Sequence, residues 1–233
     1  MKYLGSKNRI AKHILPLMLE GRTNETWVEP FIGGANIIDK VKGNRIGADK
    51  NDYLIHLFKS LQKGYKPPKE VSKDFFFEVK ANEDKYPKEL YAYLGFGLTF
   101  GCEWWGSFRR DNTGKRKYDL EAYNNVMKQN LDGIEFICSD YKDLEIPKNS
   151  IIYCDPPYEG VRKYIGFKDF NHNEFWEWCR IKTKEGYKVF VSEYNAPKDF
   201  KCIWGKEISA SANNSIKNGQ GKKATEKLFV YCA

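Results

Sequence analysis

Residues 150–158 read SIIYCDPPY, an apolar run that leads directly into an acid, two prolines and an aromatic residue. The apolar run predicts a buried β-strand, with Asp155 at its carboxyl end. Pro157 favours an extended conformation in the residue before it, so the Pro156 carbonyl points in a fixed direction. A strand end with a proline turn and a packed tyrosine would explain the prolines, but not the acid. The stretch therefore predicts a site at one edge of a sheet.

Strands and helices alternate on both sides of this stretch. Apolar runs predict strands in TWVE, NRIGAD, IEFICSD, YKVFVSE and KLFVYC, and helical spacing appears in KNRIAKHILPLMLE, NDYLIHLFKSLQ and HNEFWEWCRIKTKEG. Such alternation predicts a Rossmann-like α/β fold, a doubly wound, mostly parallel sheet that binds ligands at the carboxyl ends of its strands. Residues 62–133 break the rhythm, so we predict a core of 1–61 and 134–233 with an inserted subdomain.

The composition is that of a packed globular protein, and its positive charge is compatible with an anionic partner such as nucleic acid. Hydrophobic residues make up 41% of the 233 residues, and 39 basic against 31 acidic residues leave a formal charge of +8. The six cysteines form no CxxC pair and there are only three histidines, so neither a metal site nor a disulfide framework is expected. No apolar run reaches the length of a membrane span, and we expect no membrane association.

A glycine turn and a second acid fall at the ends of two other predicted strands. In VEPFIGGAN, residues 28–36, Gly33 and Gly34 permit a tight turn and a close backbone approach to a ligand, with a helix expected just beyond. Asp49 ends the next strand, where nucleotide-binding folds place an acid against ribose hydroxyls. A plain turn and a helix-capping aspartate are the ordinary alternatives for each feature taken alone.

The acid, prolines and tyrosine of 155–158 suit chemistry on an aromatic amine. The exocyclic amine of adenine is a poor nucleophile, because the ring withdraws its lone pair, and its nitrogen becomes positive as it attacks a methyl donor. Asp155 and the Pro156 carbonyl are predicted to accept its two N–H groups, which favours attack and stabilises that charge. Tyr158 would stack on the base or contact a sulfonium through its ring.

With YLGSK at 3–7, VEPFIGGAN at 28–36, Asp49 and DPPY at 155–158, the sequence resembles the Dam-type DNA adenine-N6 methyltransferases, in that family's motif order. The resemblance spans almost the whole chain and is weakest in the insertion. It implies S-adenosylmethionine as methyl donor and a mainly helical, target-recognising insertion that carries a β-hairpin. Tyr3 stands where the family often has tryptophan.

The resemblance also implies roles for individual residues. Lys7 alone would be a solvated surface lysine, and only its YLGSK context indicates a role at the cofactor. The residues expected to hold the cofactor are Tyr3, Lys7, Phe31, Gly33, Gly34, Asp49, Phe136, Asp140 and Asp155. Asp155, Pro156 and Tyr158 are expected to be catalytic.

Basic residues beside aromatic ones mark the predicted DNA surface. In WWGSFRRDNTGKRK, residues 104–117, we predict a hairpin turn at 111–114, and contacts to DNA from Arg109, Arg110, Asn112, Lys115 and Arg116. The alternative is a solvated basic hairpin over an aromatic core cluster that includes Trp104 and Trp105. A second polar stretch, 213–227, adds Lys222 and Lys223, or is simply a surface loop.

These features predict methyl transfer to adenine N6 in double-stranded DNA, with the base flipped out of the duplex. Two alternatives remain open: methylation of another amine, in RNA adenine, cytosine N4 or protein glutamine, and a non-catalytic nucleic-acid-binding relative. We expect a cytoplasmic protein of a bacterial or phage-infected cell without an obligate protein partner.

Overall fold

The computed structural model of the chain describes residues 1–111, 113, 115–159, 170–209 and 223–232. The strands of these residues form one seven-stranded sheet in the order β3-β2-β1-β4-β5-β7-β6. Their bounds are β1 Thr26–Glu29, β2 Arg45–Asp49, β3 Ile134–Cys138, β4 Ser150–Cys154, β5 Lys188–Glu193, β6 Phe200–Ser209 and β7 Lys223–Tyr231. The helices are α1 Ala11–Met18, α2 Asp52–Gln62, α3 Lys73–Ala81, α4 Lys88–Gly97, α5 Tyr118–Met127 and α6 His172–Lys184.

The sheet is mostly parallel. Strands β3, β2, β1, β4 and β5 pair in parallel, whereas β7 runs antiparallel to both β5 and β6. The strand order reverses between β1 and β4, and the crevice outside such a reversal is where open α/β sheets bind ligands. The predicted Rossmann-like α/β fold is therefore confirmed.

Alternate side chains of β4 enter two different cores, which is why the sequence of this strand is apolar throughout. Ile151 and Tyr153 join the large core beneath α1, α2 and α4, whereas Ile152 and Cys154 pack with Phe175 of α6. A strand covered by helices on both faces shows no polar alternation. Burial on both faces holds the end of β4 firmly in place.

Local signals set the helix that follows β2. The Asn51 side chain accepts hydrogen bonds from the amides of Tyr53 and Leu54, which caps α2. Leu57 and Phe58 lie on the buried face of that helix. The cap begins two residues after Asp49, so the end of β2 and the start of α2 are fixed together.

The predicted insertion contains α3, α4 and α5 but adds no strand to the sheet. Its aromatic residues Phe76, Tyr93 and Trp105 belong to the same continuous core as Trp27 of β1. The predicted β-hairpin is reduced to one antiparallel bridge, between Thr99 and Phe108, and no strand flanks the turn predicted at 111–114. The division of the chain into two units stays a prediction.

Three local expectations differ from the structure. The helix expected after Gly34 is only a 3-10 turn at Ile38–Lys40. The last strand is longer than KLFVYC, and its partner β6 was not predicted.

Among the described residues, no helix combines the length and apolar character that crossing a membrane requires.

Candidate active site

A cleft of about 550 Å³ opens at the carboxyl ends of β1, β2 and β4, at the reversal of strand order. The N-terminal segment forms one of its walls, and the glycine turn and the residues after β4 form the others. The lining residues include Tyr3, Lys7, Glu29, Phe31, Gly33, Gly34, Asp49, Asp155, Pro156 and Pro157. Most side chains that the sequence assigned to a cofactor therefore meet in one place.

The glycine turn is hydrogen-bonded to Asp49. The Gly33 amide donates to Oδ2 of Asp49 over 3.0 Å, and the Asn51 amide donates to Oδ1 over 2.9 Å. Burial raises the pKa of the Asp49 carboxyl to about 6, against the opposing effect of these two bonds. Each carboxylate oxygen can accept a further hydrogen bond. Asp49 is thus held in place, and its carboxylate oxygens can still accept further hydrogen bonds.

The N-terminal segment packs on the glycine turn and explains why both glycines are needed. A β-carbon on Gly33 would lie 2.9 Å from Cε1 of Tyr3, and one on Gly34 would lie 2.6 Å from the Tyr3 β-carbon. Gly33 also adopts a φ of +46°, in the left-handed region that favours glycine. The close approach predicted for this turn is made, within the chain itself, by Tyr3.

Asp155 follows β4 directly, and its carboxylate forms an ion pair with Lys7. The Lys7 Nζ lies 2.9 Å from Oδ1 of Asp155 and donates to the Gly5 carbonyl over 2.8 Å. Burial disfavours the Lys7 ammonium, but the charges of Asp155 and Glu226 outweigh it and raise its pKa. Burial raises the pKa of Asp155 to about 6, and Lys7 acts against this rise.

Tyr158 is held by residues from distant parts of the chain. Its hydroxyl donates to Oε2 of Glu226 on β7 over 2.8 Å. Its ring makes an edge-on contact with Tyr194, with ring centroids 4.7 Å apart. The Lys7 Nζ lies 4.5 Å from the Tyr158 ring centroid. The ring is buried and fixed from several sides, so it presents a defined surface beside Asp155.

Three further acids lie near the same edge of the sheet, and the sequence did not single them out. Glu29 ends β1 and accepts a 2.8 Å bond from the Trp27 indole, and burial raises its pKa well above the ordinary value. Glu193 ends β5, and burial raises its pKa to about 8. Glu226 on β7 is the third. Glu29 was readable as a strand-ending acid, whereas Glu193 and Glu226 needed the strand order.

Other predicted cofactor residues lie in different settings. Phe31 is buried against Tyr141, at 5.3 Å between ring centroids, and lines the cleft. Phe136 does not line it, because its ring packs into the core against Phe58 at 5.2 Å. Asp140 lies beyond β3, 3.3 Å from the Lys50 ammonium, and is not among the lining residues. The side chains of β3 alternate between a buried face and a more exposed one. Phe136 lies on the buried face, which is why its ring packs into the core and does not line the cleft.

The basic residues of the insertion are on the surface. Arg110, Lys115 and Arg116 are exposed, while the Arg109 guanidinium stacks over Tyr118 at 3.9 Å. The Asp111 carboxylate accepts a 2.8 Å bond from the Arg116 amide. The predicted contacts Asn112 and Lys222 lie outside the described residues, and the side chain of Lys223 is not described.

Most aromatic residues of the insertion pack into a core, whereas the rings of Phe77 and Phe100 are exposed. Trp105 is buried, 4.5 Å from Tyr91 between ring centroids, and Trp104 lies 4.3 Å from Phe96. The alternative of an aromatic core cluster therefore holds for both tryptophans. Phe100, which the sequence did not single out, is 73% exposed. Phe100 differs from the aromatic residues of the core in its solvent accessibility, a property that the sequence does not reveal.

The described residues contain no group of three histidine, cysteine or acidic side chains placed to hold a metal ion.

Comparison with known proteins identifies the class to which this fold and cleft belong. The family model of the D12 class N6 adenine-specific DNA methyltransferases matches residues 3–202. The chain belongs to this family, as its motifs suggested. It is accordingly an adenine-specific DNA methyltransferase by family.

Individual relatives agree with this assignment. The DNA adenine methylase of Vibrio cholerae is 22% identical over 99% of this chain and 94% of its own length. The DNA adenine methylase of Haemophilus influenzae is 28% identical over 75% of this chain and 68% of its own. The Type II methyltransferase M.FokI of Planomicrobium okeanokoites is 24% identical over 73% of this chain, which spans only 31% of that longer protein.

Proposed function

We propose that the chain transfers the methyl group of S-adenosylmethionine to N6 of an adenine turned out of double-stranded DNA. One observation carries the proposal: Asp155 lies at the carboxyl end of β4, in the same cleft as the Gly33 turn and Asp49. The cleft thus brings an acceptor for an amine next to a site suited to a nucleoside. The amine of a paired adenine lies inside the duplex, so the base has to leave the stack to reach Asp155.

The charges that line the cleft support S-adenosylmethionine as its ligand. Asp49 and Asp155 line it together with one lysine, Lys7, and this excess of carboxylate suits a positively charged sulfonium. Asp49 would bind the ribose hydroxyls, and Tyr3 would cover the cofactor from the N-terminal segment. S-adenosylmethionine supplies the methyl group when it is bound.

The chain's own groups would prepare the amine. Asp155 accepts one N–H, and the Pro156 carbonyl accepts the other, which turns the nitrogen lone pair toward the methyl donor. As the new N–C bond forms and the S–C bond breaks, the positive charge on nitrogen is stabilised by the carboxylate. The surplus proton then passes to Asp155, whose side chain is 23% exposed and can return it to solvent.

DNA would be held by the insertion, residues 62–133, while 1–61 and 134–233 carry out the transfer. Exposed Arg110, Lys115 and Arg116 suit contacts with phosphates, which position a duplex without reading its sequence. Phe100 is suited to fill the gap left by a flipped base, because it is a large apolar ring open to solvent. Lys222 and Lys223 remain predicted contacts. The enzyme would act in the cytoplasm, where bacterial or phage DNA is accessible.

Sequencing of methylated DNA tests this function. Unmethylated plasmid DNA is incubated with the protein and S-adenosylmethionine, and N6-methyladenine is then mapped at single-base resolution. We expect methylation of one adenine within a recurring short sequence, and none when S-adenosylmethionine is left out. Methyl transfer to RNA, to cytosine N4 or to a protein, with adenine in DNA unmodified, would contradict the proposal.

A further inference from the structure

The Lys7 ammonium is paired with the carboxylate that the proposed reaction assigns to the substrate amine. It lies 2.9 Å from Oδ1 of Asp155 and 4.5 Å from the centroid of the Tyr158 ring. The proposed reaction also needs a nitrogen that donates to Asp155 beside the ring of Tyr158. An adenine amine that approaches Oδ1 along the line of the present ion pair would have to displace Lys7 from that oxygen.

Lys7 cannot simply lose its partner when the base enters. Its side chain is only 5% exposed, and removing one member of a buried ion pair leaves a charge with a large desolvation cost. The ammonium therefore needs a second acceptor within reach of its present position. The Gly5 carbonyl, at 2.8 Å, supplies a hydrogen bond but no opposite charge.

Glu226 is such an acceptor. Its Oε2 lies 3.9 Å from the Lys7 Nζ, and its side chain is 7% exposed. The same oxygen accepts the Tyr158 hydroxyl bond at 2.8 Å. A movement of about 1 Å, well within ordinary side-chain motion, would bring the ammonium into direct contact with Glu226. Glu226 thus lies close to Lys7 and is hydrogen-bonded to the hydroxyl of Tyr158, the aromatic residue of the catalytic motif.

We propose that Glu226 is a positioning residue that receives the Lys7 ammonium from Asp155 when the target adenine enters. Lys7 holds Asp155 before the base arrives. The adenine amine then takes its place on Asp155, and Lys7 pairs with Glu226 without leaving the buried cluster. Tyr158 keeps its orientation during this exchange, because its hydroxyl is bound to the carboxylate that receives the lysine. This inference rests on the proposed function.

The exchange is tested with Glu226→Gln, Lys7→Met and the double variant. The glutamine can still accept the Tyr158 hydroxyl bond but offers Lys7 no charge. We expect Glu226→Gln to lower the single-turnover methylation rate about tenfold, in the range of couplings between contacting charged residues. DNA affinity should change less than about twofold, because phosphate contacts dominate it. In the Lys7→Met background, the same substitution should have less than a twofold effect.

Two results would overturn the proposal: an equal effect of Glu226→Gln in both backgrounds, or no effect in the otherwise unchanged protein. Glu135→Gln, which alters an exposed acid on β3, serves as the matched control and should leave the rate unchanged. Thermal unfolding of every variant shows whether a lost rate reflects lost folding. A wild-type protein that methylates no adenine would instead contradict the proposed function and leave these ratios undefined.

A structure of the unaltered protein with cognate DNA and S-adenosylhomocysteine gives a direct answer that needs no variant. We expect the Lys7 ammonium within about 3 Å of Glu226, with the adenine amine on Asp155, as for charge-assisted hydrogen bonds. An ammonium still paired with Asp155 beside the bound base would exclude the exchange.

Discussion

The amide of Gly33 donates a hydrogen bond to Oδ2 of Asp49, and this bond joins the turn after β1 to the end of β2, sixteen residues further along the chain. The two features that the sequence assigned to one cofactor are therefore a single hydrogen-bonded unit. A change at the turn is expected to disturb Asp49, the acid proposed to bind the ribose, as well. The first prediction follows from this connection.

Gly33→Ala should weaken S-adenosylmethionine binding. Its β-carbon would lie 2.9 Å from the Tyr3 ring in a backbone that already has positive φ. Gly21→Ala is the matched control, because Gly21 has a φ of +65° but nothing within 4 Å of the added carbon. Both variants should lose about 1–2 kcal/mol of stability through backbone strain, and calorimetry should show lost affinity in Gly33→Ala alone. Equal affinities would separate the turn from the cofactor.

Asp155→Asn should retain the fold and lose about 2.7–4 kcal/mol of transition-state stabilisation, or 10²–10³ in rate. Burial raises the pKa of Asp155 to about 6, so the wild-type single-turnover rate should also fall as pH drops through that value. Exposed Asp143→Asn is the control. Near-normal turnover of the Asp155 variant would remove this residue from catalysis.

Glu193→Gln should stabilise the protein more at pH 9 than at pH 6. Burial raises the pKa of Glu193 from 4.5 to about 8, so the folded protein keeps a proton that the unfolded chain releases between these values. Wild-type stability is therefore lost as pH rises from about 4.5 to about 8, and glutamine avoids that loss. Urea unfolding at both pH values measures the difference. If Glu193→Gln gains less stability at pH 9 than at pH 6, the ionised carboxylate of Glu193 stabilises the folded protein.

Arg110→Ala and Arg116→Ala should each weaken binding to duplex DNA and reduce its salt dependence. Every phosphate contact removed should lower the slope of log affinity against log salt by about 0.9. Binding is measured by fluorescence anisotropy over a series of salt concentrations. Lys184→Ala, at an exposed lysine of α6 outside the insertion, should leave the slope unchanged. Slopes equal to wild type in both arginine variants would place the DNA elsewhere.

Phe100→Ala should slow methylation of duplex DNA while thermal stability is retained, because its ring is 73% exposed and contributes little to the core. Single-stranded DNA needs no wedge, so its methylation should be affected less. The control is Phe77→Ala on α3, an exposed phenylalanine at 42%. If both variants slow both substrates equally, Phe100 has no special role in base removal.

The sequence predicted the parallel part of the sheet because β1, β2 and β4 are buried on both faces and their central residues are apolar. It missed β6, Phe200–Ser209, which lies at the edge of the sheet. Polar residues and Gly205 interrupt this strand, and its pairing with β7 is a long-range property. It also placed Phe136 at the cofactor, although the period of β3 turns that ring into the core.

The residues of the site also form two groups: those that local sequence patterns reveal, and those that come together only through the strand order. Asp155, Asp49 and the glycine turn stand at strand ends, which local patterns reveal. Glu226 is at least 68 positions away in the sequence from both Lys7 and Tyr158. Only the strand order brings these three residues together. Whether a buried acid supports a tyrosine or a lysine therefore cannot be read from the neighbours of that acid in the sequence.

The Gln62 side chain donates to the carbonyls of Leu131 and Ile134, over 2.7 and 2.8 Å. The entry and exit of the predicted insertion therefore meet at one point. Residues can be added to or deleted from the tip of such a segment without moving the strands on either side, provided α4 keeps its packing against α2. Under the proposed role of the insertion in target recognition, target preference can diverge over evolution while the methyl-transfer chemistry is inherited intact.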